Sequence, residues 1–154
     1  DDFCDMISDD ISALTDAKNI RLEISDYSGG SWYFDCFWMK EAVENIIKNG
    51  IEHSPINTVI NLFFKREIHD CFIQISDSGG GIEDNHIESI FDRFTSSSRQ
   101  KDGSNGLGLS IAKQVARCHL GNIRVFNNLS GGATFEIIFP RLEGSALYER
   151  YKKI

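Results

Sequence analysis

The stretch Trp38-Met-Lys-Glu-Ala-Val-Glu-Asn-Ile-Ile-Lys-Asn-Gly-Ile-Glu-His53 decides how the rest of the chain is interpreted. Its apolar residues recur at helical spacing and predict an amphipathic helix. Asn45, Asn49 and His53 are four residues apart, which places their side chains in one column on that helix. A carboxamide oxygen binds hard cations such as Mg²⁺, and its NH₂ group donates to phosphate oxygens. The column is therefore either a ligand-binding row or a polar face that contacts water.

Length and composition indicate one globular domain, 1–154, with a single core, since 41% of the 154 residues are hydrophobic. The formal net charge of −7 argues against a nucleic-acid partner. No apolar run approaches the length of a membrane span. Because the sequence begins with Asp1 rather than Met, we expect a fragment of a longer protein. The four cysteines are scattered and are expected to be reduced thiols of a cytosolic domain.

The remaining periodicity predicts an alternation of helices and strands. We expect helices at 3–17, 83–90 and 106–119, and strands at 20–24, 32–35, 58–65, 71–76, 123–126 and 133–139. Ser54-Pro55 should end the central helix, since the residue before proline avoids the α region. The short polar connection 66–70 predicts an antiparallel hairpin. Gly121 is expected to cap the helix that precedes it.

Two glycine-rich stretches follow the central helix. Asp77-Ser-Gly-Gly-Gly-Ile82 places an acidic residue at the end of a strand, directly before three glycines that let backbone approach a ligand. Gly106-Leu-Gly-Leu109 opens a helix, where free N–H groups and the helix dipole favour phosphate. The polar, aperiodic stretch 95–105 precedes it and predicts a mobile loop. Each stretch alone is also compatible with an ordinary turn, cap or linker.

The order of these motifs resembles the catalytic domain of sensor histidine kinases over about residues 20–140. Asn45 to Asn49 is similar to the N box, 77–82 to the G1 box, Phe91 to Phe94 to the F box, and 106–109 to the G2 box. The resemblance implies the Bergerat (GHKL) fold. This is an α+β, two-layer sandwich with a mixed, mostly antiparallel sheet and about three helices on one face. It also implies that ATP lies beneath a mobile lid at 95–105.

The resemblance implies a role for each matching position. Asp77 accepts a hydrogen bond from the adenine amino group, and Gly79 and Gly81 leave room for the base. Asn49 binds Mg²⁺, and Asn45 lies beside the phosphates. The other implied ATP-binding residues are His53, Ile82, Phe94, Arg99, Lys101, Gly106, Leu107, Gly108 and Leu109.

Some positions depart from the family pattern. Glu52 stands where many members have a basic residue, and Ser104 stands where a glycine is usual. Ala133 stands where Ser or Thr often supports the adenine-binding Asp, although Thr134 is adjacent. We expect these differences to tune affinity.

The phosphoacceptor of the family is a histidine on a separate helical hairpin. None of His53, His69, His86 and His119 has that context. The expected partners are therefore the dimerisation and histidine-phosphotransfer domain of the same protein, which would be a homodimer, and a response regulator. We expect a cytoplasmic domain whose parent protein is anchored in the cell membrane.

Two alternatives remain open within this fold. An anti-sigma-factor-type serine kinase, or a related ATPase, would carry a general-base Glu where this chain has Asn45. Glu44 is adjacent, but one residue along a helix turns its side chain about 100° away. The second alternative is a non-catalytic nucleotide-binding module.

Overall fold

Three helices and five strands form the part of the chain that the computed structural model describes, residues 2–26, 29, 32–92 and 106–142. In chain order they are α1 (Asp2–Lys18), β1 (Arg21–Asp26), α2 (Cys36–His53), β2 (Val59–Arg66), β3 (Asp70–Ser76), α3 (Gly108–Cys118), β4 (Asn122–Asn127) and β5 (Ala133–Pro140). Within these ranges, none of the helices combines the length and the hydropathy that a membrane span requires. The four cysteines, all of them in described residues, form no disulfide.

The five strands form one mixed sheet in the order β1-β2-β3-β5-β4. β1 pairs with β2 in parallel, and the other three pairings are antiparallel. Alternate strand residues face the helices and are buried, among them Leu62, Ile75 and Phe135, while Ile7, Ile11 and Ile46 reach the same core from the helices. The predicted α+β two-layer sandwich and the β2–β3 hairpin are therefore confirmed.

The central helix, α2, begins two residues earlier than predicted. Asp35 is its N-cap, and the carboxylate accepts a hydrogen bond from the Trp38 N–H at 3.1 Å. The helix ends at His53, as the Ser54-Pro55 pair predicts. At that end Lys18 of α1 donates from Nζ to the carbonyl oxygens of Ile51, Glu52 and Ser54 at 2.6, 2.8 and 3.1 Å. The positive charge therefore satisfies the last carbonyls of α2 and favours the negative end of its dipole.

An ion-pair network also joins α1 to α2. Lys40 pairs with Asp10 of α1 and with Glu44 of α2, the latter at 2.7 Å. Glu44 is only 3% exposed and has a second partner in Lys48 at 3.0 Å. The hydrogen bond from Lys40 lowers the pKa of Asp10 below its ordinary value. Because the Glu44 carboxylate is buried, these partners offset its desolvation.

Two predicted elements are wrong. Residues 32–35 form no strand. The Trp32 ring packs on Phe64 with centroids 5.7 Å apart, and Phe34 packs on Phe139 at 6.1 Å, so aromatic burial fixes this segment. Residues 83–90 form successive turns rather than a helix, with bonds three residues apart such as His86 N–H to Glu83 O at 2.8 Å. Asp84, Asn85 and Ser89 favour turns in this segment, because their short polar side chains compete with the helix for backbone hydrogen bonds.

The end of α3 also differs from the prediction in one detail. The residue with a left-handed backbone is Leu120, with φ of 58°, and Gly121 donates its N–H to the carbonyl of Ala116 at 2.8 Å. A Cβ atom at Gly121 would lie 2.0 Å from the carbonyl oxygen of Ile138. The glycine is therefore needed for close packing on β5 rather than for its backbone angle.

Candidate functional site

The predicted motifs meet at one place in the fold, where α2, the loop after β3 and the start of α3 come together. A Cβ atom at Gly79 would lie 3.1 Å from the carbonyl oxygen of His53, at the end of α2. A Cβ atom at Gly108, the first residue of α3, would lie 2.9 Å from Oδ1 of Asn45. Absent side chains at these two glycines therefore allow three separate sequence motifs to form one site.

Asp77 is held by backbone donors on one side of its carboxylate. Its Oδ1 accepts hydrogen bonds from the N–H groups of Gly79 at 2.8 Å and Ala133 at 3.1 Å. Its side chain is mostly buried, with the residue 7% exposed. Within the described residues, Oδ2 has no hydrogen-bond partner. The carboxylate is therefore fixed in orientation and retains one acceptor for a ligand.

Thr134 does not support Asp77. Its hydroxyl is hydrogen-bonded to the Ser76 hydroxyl at 2.8 Å, and these two residues are paired across β3 and β5. Their side chains point to the sheet face opposite to the helices, because Phe135 and Ile75, one position along each strand, face the core. The backbone N–H of Ala133 supports the Asp77 carboxylate instead.

The column on α2 is half-buried at Asn45 and Asn49 and exposed at His53. Asn45 donates from Nδ2 to the carbonyl of Glu41 at 2.8 Å, which directs its Oδ1 towards Gly108. The Asn49 carboxamide has no hydrogen-bond partner within the described part of the chain. Its oxygen is a suitable ligand for a hard cation, so the residues present fit Mg²⁺ at this position.

Glu44 is not available at this site. Its two carboxylate oxygens are bound by Lys40 and Lys48 on its own helix, and the residue is 3% exposed. The rotation of about 100° between neighbouring helical residues turns it away from Asn45. It therefore does not act as a general base beside the asparagines.

The start of α3 presents backbone donors without a capping side chain. Gly106 has a left-handed φ of 60°, and Leu107, at the N-cap position, makes no side-chain cap bond. The first-turn N–H groups of α3 carry the positive end of the helix dipole, which favours an anion. Leu109 is half-buried and packs on the core, so it anchors this turn.

Several predicted site residues lie outside the described residues, namely Phe94, Arg99, Lys101 and the whole of 95–105. Their predicted roles remain predictions. Phe91, the first aromatic residue of the same motif, is 7% exposed and packs edge-on against Phe135 at 6.1 Å. Lys113 lies over the same ring, with Nζ 5.8 Å from its centroid. Phe91 therefore anchors the segment that precedes 95–105.

Two residues of the connection between the strands predicted at 123–126 and 133–139 also contribute to the site, although the sequence predicted no role for them. Asn128 donates from Nδ2 to the carbonyl of Asp77 at 3.0 Å, and its Oδ1 accepts from the N–H of Gly132 at 3.0 Å. Asn127 bonds both backbone groups of Ile82. Asn-Asn before Gly-Gly is typical of a turn, and nothing in that spacing shows which distant backbone groups the two carboxamides reach.

A buried carboxylate after a strand, an asparagine column and an uncapped helix start fit the requirements of a nucleotide-binding class of site. Comparison with known proteins agrees with this class. The family model described as "Histidine kinase-, DNA gyrase B-, and HSP90-like ATPase" matches residues 35–143. The chain belongs to this family of ATP-binding domains.

The similar curated proteins are bacterial sensors. The chain is 28% identical over 132 residues to Sensor protein CzcS of Cupriavidus metallidurans, a match that covers 84% of this chain and 27% of that protein. It is 34% identical over 104 residues to Sensor-like histidine kinase SenX3 of Mycobacterium tuberculosis, which covers 66% of this chain and 25% of that protein. The chain therefore spans about a quarter of the length of these relatives.

Solved structures show the same fold. The mycobacterial sensor histidine kinase MprB is 24% identical with a TM-score of 0.73, and the match covers 90% of this chain and 95% of that chain. The catalytic domain of histidine kinase ThkA is 20% identical with a TM-score of 0.79, and the match covers 91% of each chain.

Proposed function

We propose that this chain is the ATP-binding catalytic domain of a two-component sensor histidine kinase. It transfers the γ-phosphate of ATP to a histidine on a separate dimerisation domain of the same protein. The observation that carries this proposal is the Asp77 carboxylate, whose Oδ1 is held by two backbone donors while Oδ2 is left for a ligand. An acceptor fixed in this way suits the adenine amino group and disfavours a guanine carbonyl at the same place.

The other residues divide between the phosphates and the metal. The N–H groups at the start of α3, in the stretch 106–109, hold the phosphate chain, with Asn45 beside it. Asn49 would hold Mg²⁺, which, when bound, neutralises charge on the phosphates. Arg99 and Lys101 are proposed to reach the γ-phosphate from the segment 95–105. Catalysis then consists of positioning and charge compensation by this chain, as is general for phosphoryl transfer.

Transfer to an external histidine is favoured over ATP hydrolysis. Asn45 occupies the position where a general base would lie, and Glu44 is bound by two lysines of α2. None of the four histidines has the context expected of a phosphoacceptor. The runner-up from the sequence, an anti-sigma-factor-type serine kinase, has no comparable support, because the similar proteins are named as sensors and sensor kinases.

The partners follow from this function. They are the dimerisation and phosphotransfer domain of the same protein, a homodimer of the full-length protein, and a response regulator that receives the phosphate. The domain is proposed to lie in the cytoplasm, in a parent protein anchored in the cell membrane.

One experiment tests the proposal. The chain is incubated with γ-labelled ATP and Mg²⁺, alone and with the cognate helical hairpin supplied in trans. We expect ATP binding without self-labelling, and label on a histidine of the hairpin that is labile in acid and stable in base. Strong self-phosphorylation of the chain, or acid-stable label on a serine of a partner protein, would reject the proposal.

A further inference from the structure

The loop from Asp77 to Ile82 is held at its far end by a single side chain. Ile82 donates its N–H to Oδ1 of Asn127 at 2.7 Å, and its carbonyl accepts a hydrogen bond from Nδ2 of Asn127 at 2.9 Å. One carboxamide thus satisfies both backbone groups of Ile82, as a neighbouring strand residue would. At the near end, the N–H of Asp77 donates to the carbonyl of Ala133 at 3.0 Å.

The strand register places Asn127 on the same face of the sheet as the Asp77 carboxylate. Asn127 is paired with Ala133, and Val125 with Phe135, in the β4–β5 ladder. Val125 and Phe135 are buried on the helix side, and Asn127 shares that face because it is two residues after Val125. The loop therefore runs from the end of β3, past the start of β5, to the end of β4.

Gly81 is shaped by this contact. A Cβ atom there would lie 2.8 Å from Oδ1 of Asn127, and the residue has a left-handed φ of 72°. The last glycine of the Asp-x-Gly-x-Gly motif therefore makes room for the Asn127 carboxamide as well as allowing the turn. This contact gives the motif a partner about 45 residues further along the chain.

From these contacts we propose that Asn127 is a positioning residue that sets the affinity and selectivity of the base pocket. It acts through Gly81 and Ile82, which it holds in the conformation that leaves space beside Asp77. This inference deepens the proposed function and rests on it, because it assumes that the loop receives adenine. Loosening the far end of the loop should weaken adenine binding more than binding of a base that the pocket already disfavours.

The test compares three variants by displacement of the fluorescent nucleotide TNP-ATP with ADP and with GDP. Asn127→Asp keeps an acceptor for the Ile82 N–H but places a carboxylate oxygen against the Ile82 carbonyl. We expect its ADP affinity to fall about tenfold, the consequence of losing one hydrogen bond and adding a repulsion. Asn127→Ser keeps one uncharged hydroxyl, and we expect its ADP affinity to fall about threefold. Asn122→Asp is the matched control, since it makes the same change at the start of β4, where Oδ1 accepts from the N–H of the following residue, Ile123.

The ratio of ADP to GDP affinity separates positioning from general destabilisation. A fall in this ratio for both Asn127 variants, with the ratio of Asn122→Asp unchanged, supports the inference. The inference is overturned if both Asn127 variants keep the wild-type ADP affinity, or if ADP and GDP affinities fall in parallel. Failure of the wild-type chain to bind ADP would instead reject the proposed function.

Discussion

A Cβ atom at Gly108 would lie 2.9 Å from Oδ1 of Asn45, so the first residue of α3 is in direct contact with the carboxamide on α2. The atom that must move to admit a methyl group is the far end of a flexible side chain. The fold should therefore tolerate Gly108→Ala, while Asn45 is displaced. We expect about tenfold weaker binding of ATP with Mg²⁺, measured by titration calorimetry, and a melting temperature equal to or above that of the wild type, since alanine favours a helix.

Gln114→Ala is the control for that substitution. Gln114 is an exposed residue of the same helix and lies outside the site, so alanine there favours the helix without displacing Asn45. An equal loss of affinity in the two variants would show that the Asn45–Gly108 contact is not responsible.

The Asp77 carboxylate allows a test of base selectivity. In Asp77→Asn the amide oxygen should remain with the N–H groups of Gly79 and Ala133, which both donate to Oδ1. The NH₂ group then replaces Oδ2 and presents a donor to the adenine amino group. We expect ATP affinity to fall roughly 10- to 100-fold, as is general when a hydrogen bond to a charged group is lost. Calorimetry that gives the wild-type affinity for this variant would remove Asp77 from the adenine site.

The sequence predicted those parts of the fold that depend on local patterns. The stripe around Ile46 and the proline after Ser54 specified α2, and two β-rich runs with a short polar connection specified the β2–β3 hairpin. The segment 32–35 is rich in aromatic residues, which favour strands, but contacts of Trp32 and Phe34 with distant rings replaced strand pairing there. Local patterns do not report such tertiary contacts.

The same limit applies to the candidate site. The types and order of Asn45, Asp77 and Gly108 indicated a common function before their positions were known. The contacts of the Asn127 and Asn128 carboxamides were not predicted, because their partners lie 45 and 51 residues away in the chain. In a turn, asparagine is also expected for local reasons alone.

The ion pairs between α1 and α2 should stabilise the fold over a defined pH range. Lys40→Met leaves the buried Glu44 with Lys48 alone, and we expect a loss of about 2 kcal/mol in the free energy of unfolding at neutral pH. Lys48→Met should cost less, because the Lys48 side chain is 44% exposed and its ion pair is screened by solvent. Urea unfolding of both variants measures the difference.

The pH dependence of this stabilisation follows from the shifted pKa values of Asp10 and Lys40. The hydrogen bond from Lys40 lowers the pKa of Asp10, and hydrogen bonds to Asp10 and Glu44 raise the pKa of Lys40. The lowered pKa of Asp10 stabilises the folded state above pH 3.8, the ordinary pKa of the group. This stabilisation is lost as the pH falls through the pKa of Asp10 in the folded state. The raised pKa of Lys40 stabilises the folded state below pH 10.5, the ordinary pKa of lysine. This stabilisation is lost as the pH rises through the pKa of Lys40 in the folded state. The difference between wild type and Lys40→Met should therefore be constant from about pH 5 to 9 and shrink towards pH 3. A difference that grows in acid would contradict this assignment.

Lys18 should contribute to stability through the end of α2. Its ammonium group donates to three carbonyl oxygens of the last turn, so Lys18→Met removes both the hydrogen bonds and the favourable charge. We expect a loss of about 1–2 kcal/mol, the range for a cation at a partly buried helix C-terminus. Lys65→Met is the matched control, because Lys65 pairs with Glu67 on the surface, where ion pairs contribute little. Equal melting temperatures for the two variants would exclude this role of Lys18.

Substitution of Asn49 tests its proposed roles in metal binding and in phosphoryl transfer. Its carboxamide has no hydrogen-bond partner within the described residues, so Asn49→Ala should leave the fold intact and remove one ligand oxygen. With EDTA present, wild type and variant should bind ADP equally, because the base contacts at Asp77 remain. With Mg²⁺ and the helical hairpin in trans, the variant should transfer label roughly 100-fold more slowly, since the γ-phosphate is misplaced and its charge is poorly compensated.

Asn61→Ala, a change at an exposed position of β2, is the control and should transfer label at the wild-type rate. Transfer by Asn49→Ala at the wild-type rate would show that the phosphates and their metal are held elsewhere.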